Sequence, residues 1–172
     1  LAYCMDKDAL IAAAYPLLTA DQRAALSMDS LFPNDHWAYV KPTTQYPYNP
    51  AQGIALLEAA GWTLESGATY RTKAGSELAL TVDSTSASLR LAYLAEMQAQ
   101  LAGCGIRLDM GRLDASWLFG DDTGLVRRDF ELTTFAWIRP IDDVATQQLT
   151  LYGCDSIPSV ANGWTGQNYM GY

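Results

Sequence analysis

Tyr48-Asn49-Pro50-Ala51-Gln52-Gly53-Ile54-Ala55-Leu56-Leu57-Glu58-Ala59-Ala60-Gly61-Trp62 carries the clearest local signal in the chain. An asparagine followed by a proline marks a helix entry. The Asn49 side chain offers an oxygen to the first unpaired N–H groups, and Pro50 fits the first helical position, where no N–H is needed. Ile54, Leu57 and Ala60 then recur on one face, and Gly61 stops the helix.

Working outward, the spacing on either side predicts alternating helices and strands. Asp6 caps a helix running to Ala14 ahead of Pro16, and Thr19 caps another to Leu26 with Asp21 in its first turn. Ser27 to Pro47 is a long irregular stretch, rich in aromatics and broken by Pro33, Pro42 and Pro47. A connection of that length inside a domain is functional or partly disordered, and its aromatic content argues for the first. Beyond Trp62, Tyr70-Arg71-Thr72, a Lys73-Ala74-Gly75 turn and Glu77 to Asp83 read as a hairpin, with Leu78, Leu80 and Val82 on one face. Thr85 or Ser86 opens a longer helix in which Leu91, Leu94, Gln98 and Leu101 share a side, ended by Gly103 and Gly105. Ile106 to Met110 alternates as a strand, so strand, helix and strand suggest a crossover with a parallel pair. Asp114 caps a short helix to Phe119, and Phe130 to Trp137 is a further alternating strand. The expected fold class is α/β, a mixed sheet flanked by helices.

Composition excludes several function classes. Of 172 residues, 49% are hydrophobic and 17% charged, a globular balance. Eleven Lys and Arg against nineteen Asp and Glu give a net charge of −8, which repels phosphate backbones and anionic lipid, so nucleic-acid partners are not expected. The most apolar stretch, Ala9 to Leu18, is too short to span a bilayer. One histidine, His36, and cysteines at 4, 104 and 154 without CxxC spacing give no metal signature. No Gly-x-Ser-x-Gly turn, GxGxxG or P-loop occurs, so no catalytic residue and no cofactor is assigned. The apolar first residues and the aromatic last ones read as cuts through a longer chain.

The residues left as binding candidates lie late in the chain. Asp121-Asp122 sits in a glycine-flanked turn, where aspartate serves turn geometry. Asp142-Asp143 follows the strand ending in Trp137, at the carboxyl edge where ligands of α/β folds gather. Adjacent carboxylates point apart, which favours binding or turn roles over catalysis. Among loop aromatics such as Trp37, Tyr39, Tyr46, Tyr48, Trp164, Tyr169 and Tyr172, most are expected to cover the core, while Trp137 is the expected ligand wall. Asn168 and Tyr169 are further candidates for hydrogen bonds to ligand. The three cysteines allow one disulfide, with Cys154 pairing Cys4, Cys104 or a segment outside this sequence, and buried reduced thiols are the simpler expectation.

Taken in order, these segments resemble the family 5 extracellular solute-binding proteins, receptors of peptide, nickel and related ABC importers. Leu1 to Leu10 resembles the family's "AxDRxAL" stretch, and Tyr48 to Trp62 its "YxPxxAxxLLxxAGW" element, with Gly53 in place of the usual alanine at a small helix penalty. Arg71 to Leu78 is similar to the hairpin "R-x-x-G-x-x-L", Gln98 to Ile106 to "QxxLxxxGI", and Arg128 to Leu132 with Trp137 to the "DF…W" strand. The resemblance implies a binding protein, not an enzyme, and residues 1–172 as one α/β lobe, domain III-like, of a longer receptor with the type II periplasmic-binding-protein fold. It further implies capture of a peptide or similar small solute between two lobes, an ABC permease as partner, and an extracytoplasmic location, with membrane contact only through a lipid anchor outside these residues. Free-peptide binders of the family often carry an aspartate three residues after the tryptophan, where this chain has Pro140; some members also place an arginine for the ligand carboxylate shortly before it, where this chain has Thr134. Either Asp142 or Asp143 takes the aspartate's part, or the ligand is not a free-amino peptide. Two other classes remain open on local chemistry alone: a protein-interaction module using the aromatic loops, and an acid/base hydrolase using Asp142 or Asp143.

Overall fold

In the computed structural model of the chain, the described residues are 1–30, 32–136 and 144–171. They divide into two compact units, one of Leu1–Leu80 with Ala87–Asp109 and one of Thr81–Ser86 with Met110–Tyr172.

The first unit is built on capped helices. Asp6 accepts N–H bonds from Asp8 and Ala9 to start α1, Lys7–Ala14. Thr19 and Gln22 form a reciprocal capping box for α2, Ala20–Leu26. Asn49 accepts from the Gln52 N–H to start α3, Pro50–Ala59, with Pro50 in the first turn, and Gly61 (φ 87°) turns the chain away. In the β1/β2 hairpin (Thr72–Lys73 with Ser76–Glu77), the Ala74-Gly75 turn has φ of 50° and 80°. Positive φ at both turn positions matches the twist of the flanking strands.

Helix α4, Ser88–Gly103, packs on α1 and fully buries Leu94 and Leu101. The Gln100 side chain reaches back to accept the Asp6 N–H at 2.7 Å. Cys104, just past α4, is joined to Cys4 by a disulfide that closes 100 residues of sequence. The sulfur lies against α3 at Gly53, where a Cβ would stand 2.6 Å from Cys4 Sγ. The helix penalty at Gly53 therefore has a packing reason. Cys154 is a free, exposed cysteine. The expectation of reduced, buried thiols is corrected: two cysteines whose neighbourhoods lie far apart in sequence are brought together by α1–α4 packing. Arg71, 3% exposed, ties the hairpin to this region, donating from Nε to the Cys104 carbonyl and from Nη1 to the Trp62 carbonyl and Glu58.

Strands β3 (Ala79–Asp83), β4 (Arg107–Met110) and β5 (Leu132–Thr133) form a sheet of order β4-β3-β5. Val82 pairs with Leu132 and Asp83 with Thr133 in parallel. The Arg107 N–H bonds the Leu78 carbonyl, and the Gly111 N–H bonds the Val82 carbonyl. Four residues of advance on both strands make this pair parallel too, so β3-α4-β4 is a crossover. Both pairing directions of a mixed α/β fold are present, divided between the antiparallel hairpin and the parallel sheet.

The second unit buries Val82, Leu118, Leu125 and Leu151. Asp114 caps α5, Ala115–Leu118. Helices α6 (Gly124–Arg127) and α7 (Val144–Tyr152) have no forewarning in the periodicity.

Three boundaries differ from expectation. Of the strand read over Phe130 to Trp137, the described residues in strand are Leu132–Thr133, the two that pair with Val82 and Asp83 of β3. The hairpin's second strand does not run from Glu77 to Asp83, because the Leu78 N–H bonds Arg71 while the Leu78 carbonyl turns to Arg107. The long helix does not begin at Thr85 or Ser86. Ser84 stays in extended backbone, bonded to Arg112 and Thr134, and α4 starts at Ser88 after Ala87, which makes no side-chain cap.

Candidate functional site

The residues just past the carboxyl ends of the three parallel strands form a polar cluster in the second unit. Asp83 ends β3 almost buried, and its Oδ1 accepts the Arg112 N–H at 2.6 Å. Gly111 is required beside it, since a Cβ there would meet Asp83 Oδ1 and Thr81 Cγ2 well inside contact distance. Ser84, fully buried, donates its N–H to the Arg112 carbonyl at 3.0 Å and its hydroxyl to the Thr134 carbonyl at 2.8 Å. The Thr134 hydroxyl donates to Ser84 Oγ at 2.9 Å. Thr133 Oγ1 is buried without a hydrogen-bond partner among the described residues. Carboxyl ends of parallel strands are where open α/β sheets take ligands, because the helices that cover the sheet start there and leave a crevice.

Aromatic and cationic groups border the cluster. The Arg112 guanidinium lies 4.3 Å from the centre of the Trp117 ring. Trp117 is held on α5 by Asp114, whose carboxylate accepts from the Ser116 hydroxyl and N–H, bonds that hold its pKa below the usual aspartate value. Phe135, one residue past Thr134, meets Phe119 edge-on at 5.8 Å and Tyr169 at 6.4 Å. Desolvation raises the Tyr169 phenol pKa. A separate open concavity of about 660 Å³, toward the amino end of β5, is lined by Arg128, Phe130, Glu131, Leu132, Tyr169 and Met170.

Of the residues expected from sequence, Tyr169 joins this aromatic group. Asn168 is fully buried, and its side chain donates to the Gly153 carbonyl at 3.1 Å and accepts the Gly171 N–H at 3.0 Å. It fixes the backbone that carries Tyr169. Trp137, Asp142 and Asp143 lie outside the described residues. His36 stacks between Phe32 and Trp37 and accepts the Ala38 N–H. Of the loop aromatics expected to cover the core, Trp37 is 71% exposed, and Tyr46 and Tyr48 are also on the surface. That expectation is corrected for these three, whose rings stay on the surface although Tyr46 meets Tyr3 edge-on. The first unit holds a separate apolar hollow of about 340 Å³ beside Met5, Leu10, Tyr46 and Asp29.

Sequence reasoning missed Asp83, Ser84, Arg112, Trp117 and Thr134. Asp83-Ser84-Thr85-Ser86 reads locally as the lead-in to a helix, and only strand pairing reveals it as a sheet edge. The edge can meet a solute through the exposed Arg112 guanidinium and the neighbouring aromatic rings, while the Ser84 and Thr134 hydroxyls are engaged with each other. Among the described residues no group of three or more His, Cys, Asp or Glu is placed to hold a metal ion.

Residues 1–159 match the family model of the bacterial extracellular solute-binding proteins, family 5. The chain belongs to that family. Its members are binding receptors and not enzymes. Among curated proteins none matches the sequence. The solved structures that it resembles share the fold. A periplasmic oligopeptide-binding protein of an ABC transporter from Thermotoga maritima, bound to mannohexaose, has a TM-score of 0.78 at 15% identity. That match covers 99% of this chain and 32% of the other. The oligopeptide-binding protein from Thermus thermophilus, complexed with a pentapeptide, has a TM-score of 0.77 at 17% identity, covering 99% and 29%. NikZ from Campylobacter jejuni, with Ni(L-His), has a TM-score of 0.70 at 19% identity, covering 99% and 31%. The chain thus spans less than a third of each solved structure. A sugar, a peptide and a metal–amino-acid complex are held by these three relatives, so the family 5 fold does not by itself fix a ligand. No described helix is long and apolar enough to cross a membrane.

Proposed function

We propose that this chain is one lobe of an extracytoplasmic receptor that captures a peptide or similar small solute between two lobes and delivers it to an ABC permease. The observation that carries the reading is the family match over residues 1–159, together with a sheet edge furnished with hydroxyl, guanidinium and aromatic groups. Capture breaks no covalent bond; affinity comes from enclosing the solute, burying its apolar surface and excluding water. In this reading Trp137 forms an apolar wall, and Asp142 or Asp143 meets a cationic group of the solute. Tyr169 extends the wall and Asn168 holds it in place. A lipid anchor outside these residues would keep the receptor at the membrane surface.

Mass spectrometry of small molecules retained by the complete receptor identifies the solute, and calorimetry then tests the wall. Trp137→Ala is expected to weaken binding by roughly 2–3 kcal/mol, the scale of losing a central buried aromatic. Unchanged affinity removes Trp137 from the site.

A further inference from the structure

The apolar hollow of about 340 Å³ in the first unit is walled by Met5, Leu10, Tyr46 and Pro47, and the Tyr46 ring is held against Tyr3 with centroids 5.4 Å apart. Its volume falls at the lower end of small-molecule pockets, about 300–1,000 Å³. One carboxylate, that of Asp29, lines it. Asp29 Oδ2 accepts hydrogen bonds from the Tyr39 hydroxyl at 3.2 Å and from the Gln45 side-chain amide at 3.3 Å, both neutral donors. Asp29 Oδ1 is buried without a hydrogen-bond partner, and Asp29 makes no ion pair among the described residues. Desolvation, the hydrogen bond to Asp29 and the negative charge there raise the Tyr39 phenol pKa. A buried carboxylate oxygen without a donor costs free energy that a bound cation recovers.

The surroundings restrict what that cation is. The other charged residue of the lining, Lys7, donates from its ammonium to the Met28 carbonyl at 3.0 Å at the exposed surface, where water screens it. A metal ion fits poorly. Tyr39 and Gln45 turn donors toward Asp29, not lone pairs, and no group of three or more His, Cys, Asp or Glu is placed to hold one among the described residues. An organic cation fits better: its ammonium meets the carboxylate while its hydrocarbon body lies against Met5, Leu10 and the Tyr46 ring. We propose that this hollow is a second small-molecule site, which takes a small monocationic amine with an apolar body through Asp29. Asp29, Tyr39, Gln45 and Tyr46 all come from the long aromatic stretch between Ser27 and Pro47, so the site gives that stretch a function of its own. These residues belong to the first unit, whereas Asp83, Ser84, Arg112 and Thr134 belong to the second, and the proposal stands independently of the solute-capture reading.

The test titrates benzylamine, protonated at neutral pH, and benzyl alcohol, its uncharged counterpart, into the complete receptor and its variants, with binding read by ligand-observed NMR. The wild type is expected to prefer benzylamine by about tenfold, the scale of one charge-assisted hydrogen bond. Asp29→Asn, which keeps the shape and removes the charge, is expected to abolish that preference and to leave capture of the receptor's own solute unchanged. Lys7→Met removes a like charge from an exposed position and is expected to tighten benzylamine by about twofold. A wild type that binds neither probe, or both equally, overturns the proposal. So does a preference that survives in Asp29→Asn, or weaker benzylamine binding in Lys7→Met. If Asp29→Asn disturbs the loop and loses both probes, the wild-type preference and the Lys7→Met titration decide. Loss of the receptor's own solute in a folded Asp29→Asn variant would make Asp29 part of the capture site and overturn the second site alone.

Discussion

A methyl group added at Gly53 would stand 2.6 Å from Cys4 Sγ, a sulfur that cannot swing away because it is bonded to Cys104. Intrinsic propensity favours alanine over glycine in a helix interior by about 1 kcal/mol, while overpacking costs about 1–3 kcal/mol. The clash prevails here, so Gly53→Ala is expected to destabilise the chain by about 1 kcal/mol. In a background with Cys4→Ala and Cys104→Ala, the obstruction is gone and the same substitution is expected to stabilise. A double-mutant cycle by denaturant unfolding measures the coupling. If Gly53→Ala has the same effect in both backgrounds, the sulfur is not the reason for the glycine. The residue shows where sequence reading stops. Asn49 and Pro50 announce their roles locally, but the partner that excludes a Cβ from Gly53 lies far back in the chain, at Cys4. Arg112 and Asp83 are illegible for the same reason, since each is meaningful only once β3 and β4 lie side by side.

The disulfide joins elements that are otherwise held by helix packing: the short turn at Ala2–Cys4 and the end of α4. Closing 100 residues of chain restricts the unfolded state, and the loop-entropy model puts the stabilisation at about 4–5 kcal/mol. Reduction is therefore expected to shift the denaturation midpoint by a large fraction of the domain's total stability. Alkylation followed by mass measurement is expected to add one adduct to the native protein, at Cys154, and three after unfolding and reduction. Three adducts without reductant would show that the cross-link does not form. Such a bond belongs to an oxidising compartment, in accord with a family of extracellular proteins. Helix starts at Asp6, Thr19, Asn49 and Asp114 were all legible, because a cap is a short-range hydrogen bond written in adjacent residues. The break at Leu78 and the late start of α4 were not. Both are decided by backbone partners on other strands, namely Arg107 for the first and Arg112 and Thr134 for the second. Helix α6 is only four residues long and α7 has no clean apolar stripe, which left them unread.

At the scale of the whole molecule, the proposed capture between two lobes limits how much affinity this chain can supply alone. The chain spans 29–32% of the solved relatives compared above, each of which has a ligand bound. Ligand pockets bury most of a small solute's surface, roughly 70–90% of it, which an open sheet edge cannot do from one side. If apolar burial and polar contacts are shared about equally between two lobes, a solute held at about micromolar strength retains only about half of some 8 kcal/mol on one of them. The remaining roughly 4 kcal/mol is about millimolar affinity, a loss on the order of a thousandfold. The isolated 172-residue chain is therefore expected to bind the receptor's own solute hundreds to thousands of times more weakly than the complete receptor, in calorimetric titrations run side by side. The elements of this chain, from the Asn49-Pro50 helix entry to the β3-α4-β4 crossover, would be present in both samples, so the difference would isolate enclosure from fold. Equal affinities would mean that the sheet edge of this chain, with Asp83, Ser84, Arg112 and Thr134, holds the solute unaided, and that closure between lobes adds no binding energy.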